Sequence, residues 1–350
     1  MEPVTHFLTG AVLSRAGFNR KAAYATLAMT LAAEAPDLDT LWSIRGPVAA
    51  FQHHRGWTHT FIGLPFEAAI LLGAVYGFHR WRSRSKPVEP AKGAAPIHWP
   101  RLYGFIFVAL LSHILLDWTN NYGVRPFFPF DPHWYSGSFI FIFEPVIFLL
   151  LLMAFIGPWL FGLISSEVGE RRQPYRGRGW AIFALVAILA VWGVRYFEQQ
   201  VAESLARSGE YATAPVVRVS VNPYPVTPFH WHVVVETPQG YQTADVDTFA
   251  GTVTTHTPAN VYFWPQTTVA SLVAKRSWLG EAYLDWSAWP VVTDTGLNAD
   301  GSATVTFEDL RFLYDAPLLR DQNPPPLSGS VLINADHRVA QMEMSGRIQH

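Results

Sequence analysis

The polar and apolar positions of this 350-residue chain fall into two regimes that meet near residue 200. In the first, apolar residues come in long runs, at about 60–78, 102–117, 139–164 and 180–197. A bilayer core of about 30 Å takes about 20 apolar residues to cross as a helix, so each run predicts a membrane-spanning helix. The 102–117 run is somewhat short unless it extends into its flanks. Glu144-Pro145 in the third run predicts an irregular first turn or a helix start. Two shorter apolar stretches, at about 4–16 and 22–35, come first. As helices they reach roughly 20 Å, so thin spans, a re-entrant pair and helices buried within the bundle all fit.

Beyond Gln200 the runs become short and alternate, as in Trp231-His232-Val233-Val234-Val235-Glu236 and Val331-Leu332-Ile333. Turn signals such as Pro238-Gln239-Gly240 and Asn298-Ala299-Asp300-Gly301 separate them. Period-two patterning in Val, Thr, Tyr and Trp predicts a soluble, mainly antiparallel β domain. Residues 198–213, with Glu198, Glu203 and Arg207 on a helical period, predict a helix leading into it. The expected fold is an α-helical polytopic membrane bundle of about six helical segments, two of them short, over residues 1–200, followed by a β-rich domain over 201–350. The loop at 83–98, rich in Pro, Ala and Lys, is expected to be flexible, and no internal repeat is found.

Composition agrees with a membrane chain. Half the residues are hydrophobic and 15% are charged, against about 25% charged in an average soluble domain. The net charge of −2 gives no nucleic-acid surface. The absence of cysteine excludes disulfides, thiolate ligands and a cysteine nucleophile. The start, Met1-Glu2-Pro3, lacks a basic flank, so no removable signal peptide is expected. Basic residues set the expected orientation. Arg80, Arg82, Arg84, Lys86, Lys92 and Arg101 fall in one loop and Arg171, Arg172, Arg176 and Arg178 in another, whereas residues 118–138 hold only Arg125. By the positive-inside rule the first two loops are cytoplasmic, with the Arg15, Arg20, Lys21 turn. Met1 and the C-terminal domain are then expected on the extracytoplasmic side.

That orientation, derived from Lys and Arg alone, gathers other ionisable residues on one face. His6, the Asp37/Asp39 pair, His54 and His59, and His113 with Asp117 all fall at outer ends of their segments. His113 and Asp117 are spaced i, i+4, so they project from one side of a helix. Asp37 and Asp39 follow Pro36, which favours a break in the chain. Gly56 permits a tight turn and Thr58 suits an N-cap. Buried ionisable groups in a membrane segment are costly and point to function. Seven imidazoles and carboxylates without sulfur suit Zn, with Mn or Fe as alternatives, and one to three ions. Arg55 beside them either bridges carboxylates or binds an anionic substrate group. His53, His79, His98 and His133 read as ordinary loop histidines, and His230 with His232 as neighbours on one strand. Trp57, Trp81, Trp99, Trp118 and Trp180 read as interfacial anchors.

Thr5-His6-Phe7-Leu8-Thr9-Gly10, Pro36-Asp37-Leu38-Asp39, His54-Arg55-Gly56-Trp57-Thr58-His59 and His113-Ile114-Leu115-Leu116-Asp117 together resemble the motif set of a family of bacterial inner-membrane metal-dependent hydrolases, also described as LexA-binding. The resemblance covers about residues 1–200. It implies a multi-pass protein of the bacterial inner membrane and a hydrolase whose substrate it leaves open. The order His, Asp, His, His-x-x-x-Asp is also similar to the metal site of zinc-dependent phospholipase C and P1-type nucleases. Those enzymes add a His-x-x-x-Glu, which the membrane region lacks; Glu144 stands where it could substitute in part.

The expected activity is metal-assisted hydrolysis of an ester or phosphoester of lipid or envelope origin at the outer membrane face, with Asp37 or Asp39 as general base. Membrane lipid is the expected surrounding. A metal-binding regulator or a module for an unidentified protein partner is the alternative. A transporter fits less well, because transport sites lie near the bilayer midplane.

Overall fold

The structure is a computed structural model that describes residues 1–85, 95–167, 177–212, 215–255, 259–315 and 324–350. The basic residues Lys86, Lys92, Arg171, Arg172 and Arg176 and most of the 83–98 loop lie outside the described residues. The chain divides into two compact units, one of Met1–Leu38 with Arg55–Arg195 and one of Asp39–His54 with Tyr196–His350.

The first unit is helical. It contains α1 (Pro3–Arg15) and α2 (Ala25–Glu34), while α3 (Pro47–His53) belongs to the second unit. It continues with α4 (Leu64–Ser85), α5 (Trp99–Trp118), α6 (Pro145–Glu167) and the first part of α7 (Arg178–Ser208). The helices α1 and α2 cross at Gly10, where a Cβ would sit 2.5 Å from the Met29 carbonyl oxygen and 2.7 Å from the Ala33 Cβ. Small residues let helix backbones approach this closely in a membrane, where packing replaces the hydrophobic effect as the driving force. On its other side α2 presents Ala25, Ala28, Met29 and Ala32 to a shared core with Ile106, Ala109, Leu110 and Ile114 of α5. Pro158 inside α6 supplies no N–H to the carbonyl four residues earlier. Arg15 covers that gap, its Nη1 donating to the Phe155 carbonyl at 2.7 Å and reaching Ala154 at 3.5 Å.

Among the described residues, Trp99–Trp118 and Arg178–Ser208 are long and apolar enough to cross a membrane, and a third span results if the helices flanking the break at 60–63 count as one. Pro145–Phe161 is a shorter apolar helix. Each of the six apolar stretches contains a helix, beginning only at Leu64 in the first long run and at Pro145 in the third, while two to three are candidate spans. One expectation changes: the separate segments at 180–197 and 198–213 are a single 31-residue helix, α7. Glu198 and Glu203 continue its periodicity, and no glycine or proline interrupts it after Gly193.

The second unit contains two antiparallel sheets. One has the order β1 (Arg218–Pro223), β2 (His230–Thr237), β3 (Gly240–Asp247), β4 (Thr252–Thr254), with β5 (Val261–Phe263) also on β3. The other runs β10 (Arg347–Ile348), β9 (Val339–Met344), β8 (Gly329–Ile333), β7 (Ala303–Asp309), β6 (Pro290–Leu297). The mainly antiparallel β expectation holds. Two helices between the sheets were not foreseen, α8 (Val269–Lys275) and α9 (Trp278–Trp286). Their start signals were in the sequence: Thr268 and Ser271 form a reciprocal capping box, and Ser277 caps α9.

The second unit also takes in residues from the N-terminal region. Phe51 of α3 packs against Tyr283 and Trp286 of α9 at ring-centroid distances of 5.7 and 5.2 Å. Gln52 accepts from the Trp278 indole at 2.7 Å. Gln349 bridges the turn before α3, accepting from Val48 N–H at 3.0 Å and donating to the Arg45 carbonyl at 2.9 Å. The sequence break at residue 200 concealed this, because the partners of α3 lie 226 residues on at Trp278 and 301 residues on at Gln349.

Candidate metal centre

Four residues of the first unit converge: one ligand atom from each of Asp37, His59, His113 and Asp117 lies within 4.8 Å of the others, an arrangement that could hold a metal ion. His113 and Asp117 occupy successive turns of α5 and are fully buried. Asp37 sits in the 3-10 helix that Pro36 helps to start after α2, and His59 ends a short 3-10 turn, Trp57–His59. Two glycines, Gly56 and Gly63, flank that turn. Gly63 lies so near the Trp57 carbonyl that a Cβ would come within 2.5 Å of it.

The distances can be compared with what an ion requires. A tetrahedral ion with bonds of about 2.0–2.1 Å holds its ligand atoms about 3.3–3.4 Å apart. His113 Nε2 lies 3.1 Å from His59 Nε2, 3.4 Å from Asp117 Oδ2 and 3.5 Å from Asp37 Oδ1. His59 Nε2 lies 3.4 Å from Asp117 Oδ2 and 3.6 Å from Asp37 Oδ1. Five of the six edges of the tetrahedron thus match an ion-sized gap within a few tenths of an ångström. Proton placement agrees. His113 Nδ1 donates to the Ala33 carbonyl at 2.7 Å, which leaves Nε2 with its lone pair toward the cluster. Asp117 Oδ2 is buried and accepts no hydrogen bond in the structure, which fits an oxygen that could ligate a cation.

His6 of α1 forms the wall beside this set. Its ring stacks on His113 at 3.7 Å between centroids, and its Nε2 is 3.3 Å from Asp117 Oδ1. Both its ring nitrogens are buried without a hydrogen-bond partner. Nitrogen groups gather on the same carboxylate. Arg55 Nη2 donates to Asp117 Oδ1 at 2.8 Å, and the Met1 amino group contacts that oxygen too. Arg55 is 2% exposed, takes a left-handed φ of 54°, and its Nη1 donates to the Gly123 carbonyl at 2.8 Å. Its guanidinium lies over the Tyr122 ring at 4.7 Å. Of the two readings of Arg55, the structure displays the carboxylate contact.

The other two expected ligands fall in the second unit. The unit boundary cuts both motifs, between Leu38 and Asp39 and between His54 and Arg55. There His54 Nδ1 pairs with Asp39 Oδ1 at 3.1 Å. His53 stacks on Trp42 at 4.0 Å, as a bystander histidine would. Glu144, considered as a partial replacement for the missing motif, is buried against Arg195 at 2.6 Å.

Burial alone would raise the Asp37 carboxyl, but the imidazoles of His113 and His59 hold it well below the usual carboxylate range. Glu34, at the end of α2 and outside the candidate spans, was missed by the sequence reading. Burial, then the neighbouring Asp37 carboxylate, push it up to about 7, while a hydrogen bond from the Phe7 backbone opposes them. Its signal was the i, i+3 spacing of Glu34 and Asp37 across the proline, which places two carboxyls on one side of the turn.

The helical region matches the model of the YdjM inner membrane protein family over residues 1–202. The chain belongs to that family. Membership and the apolar helices together support a membrane location for this YdjM-family chain. It is also 28% identical over 170 residues to a Bacillus subtilis (strain 168) protein described as "Uncharacterized protein YfhP". That alignment covers 46% of this chain and 47% of the relative, so the chain spans about half the length of the protein it matches. No solved structure matches.

Proposed function

We propose that this YdjM-family protein is a membrane-bound metal-dependent hydrolase acting on an ester or phosphoester of lipid or envelope origin. The observation that carries this reading is the near-tetrahedral spacing of Asp37 Oδ1, His59 Nε2, His113 Nε2 and Asp117 Oδ2 around an ion-sized gap. Those four residues hold the ion, and His6 stands beside them to complete a second position. A divalent ion bound there supplies Lewis acidity toward a phosphoryl or acyl oxygen and lowers the pKa of water. Zinc suits a donor set of imidazole and carboxylate in tetrahedral array best, with manganese and iron next.

The chain's own residues divide the remaining work. Arg55 and the Gly123 carbonyl fix the Asp117 carboxylate in one orientation. Asp37, held ionised, serves the ion better than it serves as a base. Glu34, pushed up to about 7, has the proton affinity that general acid–base chemistry at neutral pH needs. Asp39 with His54 forms a second carboxylate–imidazole pair, within the other unit. The helical unit faces its cluster to the extracytoplasmic side in this reading, as the basic loops require.

Purified full-length protein tests the reading by metal analysis and then by turnover on phosphodiester, phosphomonoester and phospholipid substrates. Stoichiometric metal with hydrolysis of one class, abolished in Asp117→Ala, is expected. Stoichiometric metal without turnover on any class would favour a metal-binding regulator, and absence of metal would overturn both.

A further inference from the structure

The helices that carry the His/Asp cluster at one end carry a cationic pocket at the other. His6 lies in the first turn of α1 and Asp117 in the last turn of α5. A cavity of about 240 Å³ opens at the opposite ends, where α1 stops and α7 starts, with Phe18, Arg20, Lys21 and Arg178 among its walls. All of these residues belong to the helical unit. The cavity is smaller than the about 300–1,000 Å³ of small-molecule pockets and suits a single headgroup group.

Its charge has one sign. Residues 11–33, 95–116 and 177–194 contain no aspartate or glutamate. Arg178 Nε donates to the Ala16 carbonyl at 3.1 Å, and Arg101 Nη1 reaches the Lys21 carbonyl at 3.4 Å. These bonds satisfy the carbonyls left over past the end of α1, which would otherwise repel an anion. They also fix the two guanidinium groups at the rim. The Nη groups of Arg178 and the Nζ of Lys21 have no hydrogen-bond or ion-pair partner among the described residues. Arg178 opens the 31-residue α7, so the positive end of that helix adds to the same field.

Depth and neighbouring surface select the anion. Trp99 and Trp180 stand two residues from Arg101 and Arg178, and tryptophans at span ends mark the headgroup level. From Arg178 an apolar stripe runs down one face of α7 through Ile182, Val186 and Leu189, which are 42%, 60% and 61% exposed. A free phosphate would meet the cations and leave this stripe unused. A zwitterionic lipid would cover the stripe but bring a cation of its own to the pocket.

We propose that the pocket holds the phosphate of an anionic phospholipid, with Lys21 and Arg178 on the phosphate and an acyl chain along Ile182, Val186 and Leu189. Basic pockets between membrane helices recognise anionic headgroups in this way. The site stands independently of the metal reading, because it shares no residue with the cluster.

Native mass spectrometry of the full-length protein in detergent provides the test, with phosphatidylglycerol and phosphatidylcholine as probes and inorganic phosphate as competitor. Phosphatidylglycerol is expected to be retained over phosphatidylcholine, about fivefold more weakly in each of Lys21→Gln and Arg178→Gln. Arg82→Gln removes an exposed charge from α4, away from the pocket walls, and should leave retention unchanged. Lys21 makes no side-chain bond, so Lys21→Gln keeps the test valid if Arg178→Gln lowers the circular-dichroism melt. Equal retention of the two lipids, or unaltered retention in Lys21→Gln, would overturn the site. An equal loss in Arg82→Gln would replace it with general charge attraction, and displacement by equimolar inorganic phosphate would overturn lipid as the occupant.

Discussion

His113→Ala is the substitution that most directly separates a metal centre from a buried hydrogen-bond cluster. His113 Nε2 supplies three of the five tetrahedron edges described above, at 3.1, 3.4 and 3.5 Å. Loss of an outer partner of a metal ligand typically costs about 10–100-fold in affinity. Removing a ligand itself should exceed that, so metal affinity is expected to fall by more than about 100-fold, or about 2.7 kcal/mol. The same change empties a fully buried site and leaves the Ala33 carbonyl without its donor. Some stability loss is therefore expected whether or not an ion binds. Leu110→Ala controls for it: Leu110 lies about one turn earlier on α5, is fully buried and offers no donor atom. Truncating a buried leucine costs about 2–5 kcal/mol. The assay is metal content by mass spectrometry and affinity by competition with a chelator, on protein whose folding is checked by circular dichroism. Metal lost in His113→Ala and retained in Leu110→Ala is the expected pattern. Unchanged affinity in His113→Ala, or equal loss in both, would refute the assignment of Nε2 as a ligand.

Three further outcomes follow from the same geometry. Arg55→Met breaks a buried ion pair made at 2.8 Å and should destabilise the metal-free protein by about 3–5 kcal/mol, with part of the loss recovered on adding metal, read by denaturant unfolding with and without chelator. Phe51→Ala should lower the stability of the β-rich unit by about 3–5 kcal/mol while metal content stays unchanged, read by thermal melting beside metal analysis. Burial alone would raise the Asp309 carboxyl, but Arg311 holds it below its ordinary value. Its contribution is then complete above the unfolded value of about 3.9 and is lost as pH falls through the folded one. Asp309→Asn should flatten the acid limb of a stability–pH profile, and an unaltered limb would show that other carboxylates govern it.

Much of the candidate metal site was legible because burying its groups is expensive. Imidazoles and carboxylates at the ends of apolar helices have few reasons to be there, and the spacing of His113 and Asp117 set their common direction. His6, Asp37 and His59 joined them because they fall at the same level of the helical unit. Asp39 and His54 lie two and five residues from members of that cluster and pair with each other in residues that belong to the other unit. Spacing along the chain carries no information about a unit boundary that cuts a motif. The helices were legible from apolar runs, but the number crossing a membrane was not, because α1 and α2 are as apolar as a span while too short to be one. The helices α8 and α9 were overlooked because tryptophans and valines in short runs resemble strands, and only the caps at Thr268 and Ser277 distinguish them.

Gly10 gives the candidate metal site a dimension that none of its histidines or aspartates controls. It sets α1 against α2 at close contact, with His6 one turn before it and the Cβ of Ala33, the residue whose carbonyl orients His113, directly across. The gap between the His6 ring and the His113 ring is therefore gauged by the thickness of a single residue that has no donor atom. A methyl group at that position would act as a shim, widening the chamber on one side while every ligand stays in the sequence. A scan confined to histidines and aspartates would miss the position that sets how closely α1 brings His6 to the cluster.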